Sequence, residues 1–221
     1  MFRTEAELVD RLVQYYQKYF IVKELGVGYG ISDLVIVRNK ADLFRFLEAR
    51  NGVHLKHIDE IKVFEYIRKR NGVDLEELIS KHYISKTKMK YSIIKNLEDV
   101  GAIKRGDSKY YRIPSFKLFS PTVTAIEAKL EDWNKGLAQA IRYQRFANKT
   151  YVAMDEKYVH RADKSEFSKY NVGLLSVGTK IKELVKPSDQ KPSDSIMRYK
   201  VSEEIILKNK KAAKTEKHYL V

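Results

Sequence analysis

The sequence predicts an α/β chain carrying a smaller α+β insert, and three observations predict it. Residues 31–37, ISDLVIV, and residues 122–130, TVTAIEAKL, read as strands: β-branched residues crowd them, and their side chains alternate between two faces. Residues 4–19 and 133–148 carry the 3.6-residue apolar spacing of helices and flank those strands in sequence. Between the two strands, residues 57–113 hold three short helical patterns and then a hairpin.

The chain has 221 residues, room for one sizeable domain or two small ones, and 43% of them are hydrophobic, enough for a real core. The net charge of +14 points to a polyanion or an anionic surface as partner. There is no Cys, which excludes disulfides, thiolate zinc sites and Cys nucleophiles. A Cys-free chain fits a reducing cytoplasm. The opening MFRTEAELVD carries acids and no apolar signal core, and no apolar run is long enough to span a bilayer. A cytoplasmic location with no membrane partner is therefore expected. His54, His57, His82, His160 and His218 are scattered, and no carboxylate motif completes a metal site around them.

Taken in order, residues 4–19 form a helix capped by Thr4, with Glu5 and Glu7 at the positive end of its dipole. Leu8, Leu12, Tyr15, Tyr16 and Tyr19 make its apolar stripe. Residues 20–25 read as a strand, and Gly26, Gly28 and Gly30 as a turn. No helix follows that turn, so a phosphate-binding loop and a small-molecule cofactor are not expected. In the next strand Asp33, Val35 and Val37 share one face and Leu34 and Ile36 the other. Asp is disfavoured in strands, so Asp33 is either a turn-capping residue or a site residue. Residues 39–52 form a helix with Leu43, Phe44 and Leu47 inward.

Residues 57–71 form the next helix, Asp74 caps a second, and Ser85 caps a third that ends at Gly101 with Met89, Ile93, Ile94 and Leu97 inward. Residues 102–113 make two short strands around a Gly-Asp turn. The DLEEL second helix, the NLEDVGAIKR exit from the third and the KYYRI strand resemble a winged helix-turn-helix domain. That resemblance implies double-stranded DNA as partner. It sets Lys86, Thr87, Lys88, Lys90 and Tyr91 of the third helix at the major groove. Lys104, Arg105, Lys109 and Arg112 of the hairpin suit phosphate contacts.

In the strand at residues 122–130, Ala125, Glu127 and Lys129 share one face. A Glu-x-Lys tripeptide is expected roughly once by chance in such a chain, and alone it reads as an exposed ion pair on an edge strand. A helix follows, with Leu137, Ala140 and Ile141 inward and Gln139 and Tyr143 one turn apart on a neighbouring face. Strands at 151–154, 173–177 and 180–185, a short helix at 163–170, and a last helix near 201–211 with a Lys-rich tail complete the chain.

With the insert removed, the order is helix, strand, strand, strand, helix, strand. Glu7 lies on the first helix, with Glu5 as a nearby fallback, Asp33 on the second strand, Glu127-Ala128-Lys129 on the third, and Gln139 on the next helix. This arrangement resembles the PD-(D/E)XK restriction-endonuclease-like nucleases, in particular the branch with Holliday-junction resolvases and RecB-like nucleases. Ser32 stands where Pro precedes the first acid of the motif, a departure that branch tolerates. The resemblance covers residues 4–37 and 121–177. It implies a mixed-sheet core flanked by helices (residues 1–38 and 118–186), an inserted winged-helix domain (39–117) and a basic C-terminal segment (187–221).

The resemblance also implies the chemistry. The chain would be a deoxyribonuclease hydrolysing phosphodiester bonds with Mg²⁺ or Mn²⁺. Asp33, Glu127 and the Ala128 carbonyl are the implied metal ligands. Lys129 would orient or deprotonate the attacking water, Glu7 would support the metal shell, and Gln139 would bind phosphate or fix Lys129. Double-strand cleavage would favour a homodimer, by symmetry with the duplex. The alternative is a non-catalytic DNA-binding regulator on a nuclease-like scaffold.

Overall fold

The computed structural model describes residues 2–26 and 30–218, with side chains as far as residue 209. Gly28 of the expected turn and the side chains of the Lys-rich tail lie outside the described residues. The chain divides into two compact units: Met1–Arg45 with Ser120–Val201, and Phe46–Phe119 with Ser202–Val221.

The first unit is α/β, built on a six-stranded mixed sheet. Helix α1 (Glu5–Tyr16) precedes the hairpin β1 (Phe20–Gly26) and β2 (Ile31–Val37), and β5 (Val123–Lys129) follows the intervening residues. Helix α7 (Trp133–Tyr143) leads to β6 (Lys149–Asp155), and α8 (Lys164–Lys169) to β7 (Gly173–Val177) and β8 (Ile181–Val185). The strand order is β1-β2-β5-β6-β7-β8. The β5–β6 and β6–β7 pairs are parallel and joined through helices, whereas the outer pairs are antiparallel. All seven residues of β5 are buried. The edge-strand reading of Glu127-Ala128-Lys129 is therefore overturned: β5 is the third of six strands and its charges lie inside.

Each face of the sheet is covered. Leu8, Val9 and Leu12 of α1 pack on Leu34, Ile36, Ile126, Ala128, Tyr151 and Ala153. On the other face Leu137 and Ala140 of α7 and Phe167 of α8 pack on Val152, Met154 and Leu174. Local sequence explains the helix starts. The Thr4 hydroxyl accepts from the Glu7 amide at 3.2 Å, and the Asp132 carboxylate accepts from the Lys135 amide at 3.0 Å. Two expected inward residues are not inward. Tyr15 and Phe44 are each half exposed, whereas Leu8, Val9 and Leu12 of the first helix and Leu43 of the second are buried.

The second unit contains the end of α2 (Lys40–Arg50), then α3 (Ile58–Arg68) and α4 (Leu75–His82). A third helical run follows as α5 (Lys86–Lys88), a π-helical stretch Met89–Ile94 and α6 (Lys95–Asp99). The π stretch widens the turn, and Ile93 and Ile94, adjacent in sequence, are both buried. Gly101, at a φ of 70°, closes the run in the left-handed region. The hairpin β3 (Ile103–Arg105) and β4 (Tyr110–Arg112) then forms a two-stranded sheet. The last helix, α9 (Ser195–His218), is longer than the expected 201–211. Its Glu203 carboxylate is buried, accepting from both the Arg50 guanidinium at 2.8 Å and the Leu55 amide at 2.7 Å.

Gly136 lets α7 lie close to the sheet. A Cβ there would stand 2.8 Å from Val152 Cγ1 and 3.0 Å from Lys129 Cγ. Gly136→Ala gains helix propensity but forces these side chains apart. The expected net loss is about 1–2 kcal/mol, read as a lowered midpoint in urea unfolding.

Candidate functional site

Three chain segments meet on the α7 face of the sheet. The β2–β5 ladder pairs Val35 with Ala125 and ends at Leu34 and Ile126. Continuing that register by one residue places Asp33 across from Glu127. There the Asp33 side chain takes over from the strand backbone: its Oδ2 accepts from the Ala128 amide at 2.7 Å. The two strands thus separate around a carboxylate rather than continuing as a ladder.

Glu127 is held at both ends. Lys129 Nζ donates to Oε1 at 2.8 Å, and the Tyr143 hydroxyl donates towards Oε2 at 2.6 Å. Tyr143 also lies 2.8 Å from the Ile31 carbonyl. Lys129 further donates to the Ala128 carbonyl at 3.0 Å and reaches Glu5 Oε2 at 3.4 Å. Glu127 and Lys129 are only 1% and 6% exposed, so neither charge could stay without the other.

These surroundings set the protonation states. Burial lifts the Asp33 carboxyl to about 6; the Ala128 hydrogen bond offsets part of this, and nearby Glu127 adds to it. Burial pulls the Lys129 ammonium down, but the Glu127 hydrogen bond and charge, with Glu5 and Asp33, hold it above the usual lysine value. The Tyr143 hydroxyl is raised by burial and then by Glu127, so it stays a donor at neutral pH.

The sequence-derived residues divide clearly. Asp33, Glu127, Ala128 and Lys129 converge. Gln139 hydrogen-bonds Tyr143, and its buried Oε1 has no partner. Glu7 is not brought to this group: it turns back and accepts from the Arg3 amide at 2.8 Å. Glu5, two positions earlier in the same helical turn, stands there instead. Tyr143 was legible only as a neighbour of Gln139. Its hydroxyl on Glu127 depends on how α7 is rotated against β5.

A second cavity of about 180 Å³ is lined by Glu5, Asp10, Lys23, Glu24 and Asp33. Glu24 adopts a left-handed φ of 50° between the Lys23–Leu34 and Leu25–Ser32 register pairs, across from Asp33. Such a backbone costs about 1–3 kcal/mol for a non-glycine residue, and here it adjoins the carboxylate.

Among the described residues, no group of three or more His, Asp or Glu gathers to hold a metal. The donors present nevertheless fit an oxygen-seeking divalent ion, which needs only one or two protein carboxylates. Asp33 and Glu127 supply them on adjacent strands, with the Ala128 carbonyl beside them. A cation there would relieve the pressure that raises Asp33.

The candidate DNA-contacting residues lie in the second unit. Lys86 pairs with Glu76 and Lys88 with Asp59, each at 2.8 Å. Lys90 lies 5.0 Å from the centroid of the Tyr91 ring, and Tyr91 is 65% exposed. Thr87 and Lys109 are exposed. Lys104, Arg105 and Arg112 are also exposed and line a cavity of about 470 Å³ with Arg70, Asn71 and Tyr111.

The raised Asp33 pKa has a stability consequence. The unfolded carboxyl ionises near 3.8, the folded one near 6. Well below pH 3.8 both states are protonated and Asp33 costs nothing; the penalty grows as pH rises through 3.8 and levels off above about 7. Allowing for partial exposure, it is about 1–2 kcal/mol. Asp33→Asn should raise the thermal midpoint at pH 7.5, and the gain should shrink as pH falls and vanish by about pH 3. Neither a model of a protein family, nor a curated protein, nor a solved structure matches this chain.

Proposed function

We propose that the chain is a divalent-cation-dependent deoxyribonuclease of the PD-(D/E)XK, restriction-endonuclease-like kind, with an inserted winged helix-turn-helix that binds duplex DNA. The observation that carries this reading is the meeting of Asp33, Glu127 and Lys129. Two carboxylates from adjacent strands and a lysine two residues on come together, Glu127 and Lys129 buried and Asp33 half-buried, with Asp33 Oδ2 on the Ala128 amide and Lys129 Nζ on Glu127 Oε1. Burying Glu127 and Lys129 beside a half-buried Asp33 is costly for a purely structural purpose and is what charge-handling chemistry needs. The order of strands and helices around them agrees with such a core.

In this reading Asp33, Glu127 and the Ala128 carbonyl hold the ion. A bound Mg²⁺ or Mn²⁺ would acidify a water and offset charge on the scissile phosphate. Lys129 is held protonated by its neighbours, so its role is to position the attacking water and balance phosphate charge rather than to remove a proton. Tyr143 fixes the far oxygen of Glu127 and thereby the near one. Glu5 takes the supporting place given to Glu7 from sequence, since it is Glu5 that touches Lys129. The unpartnered Gln139 Oε1 can accept from a water in the site.

For the insert, the helix lysines sit in exposed ion pairs worth little, which a phosphate can replace. The hairpin cations face solvent around a basic concavity. Both fit a phosphate backbone. A second reading, a non-catalytic DNA-binding regulator on the same scaffold, is favoured by one fact: both Glu127 oxygens are already engaged.

A plasmid-nicking assay with and without Mg²⁺, beside a gel shift in EDTA, separates the two. Asp33→Ala and Lys129→Ala should each lower Mg²⁺-dependent nicking by about 10²-fold or more while the gel shift persists. Undiminished nicking in both variants rejects the catalytic assignment. A wild-type gel shift without any nicking supports the regulator. Lys88→Ala combined with Arg105→Ala should reduce the slope of log affinity against log salt by about 2. An unchanged slope rules out these residues as phosphate contacts.

A further inference from the structure

The other face of the first unit carries a pocket that the cleavage reading does not use. It lies at the C-terminal end of α1, with a volume of about 350 Å³, and Tyr15, Tyr16, Tyr19, Tyr151, Arg38 and Glu183 line it. Tyr151 belongs to the α1-side core with Leu34 and Ile36, whereas Asp33, Glu127 and Lys129 lie on the α7 side. The pocket shares no lining residue with the group of Asp33, Glu127 and Lys129.

Its chemistry is specific. Tyr15 and Tyr16 meet edge-on with centroids 4.9 Å apart, and the Tyr16 and Tyr19 rings lie 6.3 Å apart. Tyr151 donates to Glu183 Oε1 at 2.7 Å, which orients the carboxylate and leaves its other oxygen to accept. Arg38 is exposed and close enough to act electrostatically on both Tyr16 and Tyr151. Lys18 adds a second cation at the rim, 5.1 Å from the Tyr19 centroid. Burial pushes the Tyr16 hydroxyl up to about 12, so that ring stays neutral.

We propose that this pocket binds a single unpaired nucleotide whose base carries an exocyclic amino group. Tyrosine rings offer stacking faces to a base. Arg38 and Lys18 suit its phosphate. The Glu183 carboxylate accepts from an amino group and repels the carbonyl edge of thymine, and it also disfavours a bare anion. The volume admits one nucleotide and excludes a duplex. Two sources share this chemistry, a free mononucleotide and an unpaired nucleotide of a strand. The proposal rests on the pocket lining alone and holds whether or not the chain cleaves DNA.

The test is calorimetric titration of the full chain in EDTA, so that cleavage plays no part. The probes are dAMP, dGMP, dCMP, TMP, the matching nucleosides, inorganic phosphate and a short single-stranded oligonucleotide. Amino-bearing nucleotides should bind about tenfold more tightly than TMP. Arg38→Ala should weaken nucleotides about tenfold and leave nucleosides unchanged. Glu183→Gln, which can still accept from Tyr151, should erase the preference over TMP. Unchanged melting curves establish that both variants are folded, and Lys18→Ala replaces Arg38→Ala if that variant melts early. Competition by the oligonucleotide assigns the site to a strand, and its absence assigns it to free nucleotides. No saturable nucleotide binding, or binding indifferent to these substitutions, overturns the proposal.

Discussion

Glu127 and Lys129 stand 2.8 Å apart on the third of six strands, in a place where neither charge could stay alone. An unpaired buried ion costs several kcal/mol, and removing one partner leaves that cost on the other. The surrounding structure is arranged to keep the pair together. Tyr143 closes the free side of Glu127, Glu5 approaches Lys129 from α1, and Gly136 leaves room for the lysine stem. Asp33 completes the group by holding the Ala128 amide where the β2–β5 ladder stops. One short stretch of backbone thus brings charges from two strands and one helix, and a tyrosine hydroxyl from a second helix, within reach of each other.

The second unit handles charge differently. Its helix lysines are tied to acids on neighbouring helices, Lys86 to Glu76 and Lys88 to Asp59, while Lys104, Arg105 and Arg112 surround an open concavity. Exposed pairs of this kind contribute little to stability. The buried Arg50–Glu203 pair is the opposite case: it is fully enclosed, also bonds the Leu55 amide, and fixes the local packing of that unit.

Much of this was legible in sequence because it depends on short-range pattern. Alternation within ISDLVIV and TVTAIEAKL set Asp33 apart from Leu34, and Glu127 and Lys129 apart from Ala128. Capping by Thr4 and Asp74 followed from residue type. What escaped depends on how whole elements are rotated. Glu5 and Glu7 share one turn, and only the rotation of α1 against the sheet decides which meets Lys129. Tyr143 reaches Glu127 because α7 turns that side inward. Burial of β5 follows from strand order, which no local pattern in TVTAIEAKL encodes. The π-helical stretch Met89–Ile94 likewise answers a demand of packing, that two successive isoleucines face the interior.

The central claim is that Asp33 and Glu127 share a divalent cation. Anomalous diffraction from crystals grown with Mn²⁺ tests it most directly. One strong anomalous peak should stand between the carboxylates of Asp33 and Glu127, beside the Ala128 carbonyl. A map without a peak between those two side chains, at a Mn²⁺ concentration that supports binding elsewhere on the molecule, would contradict it.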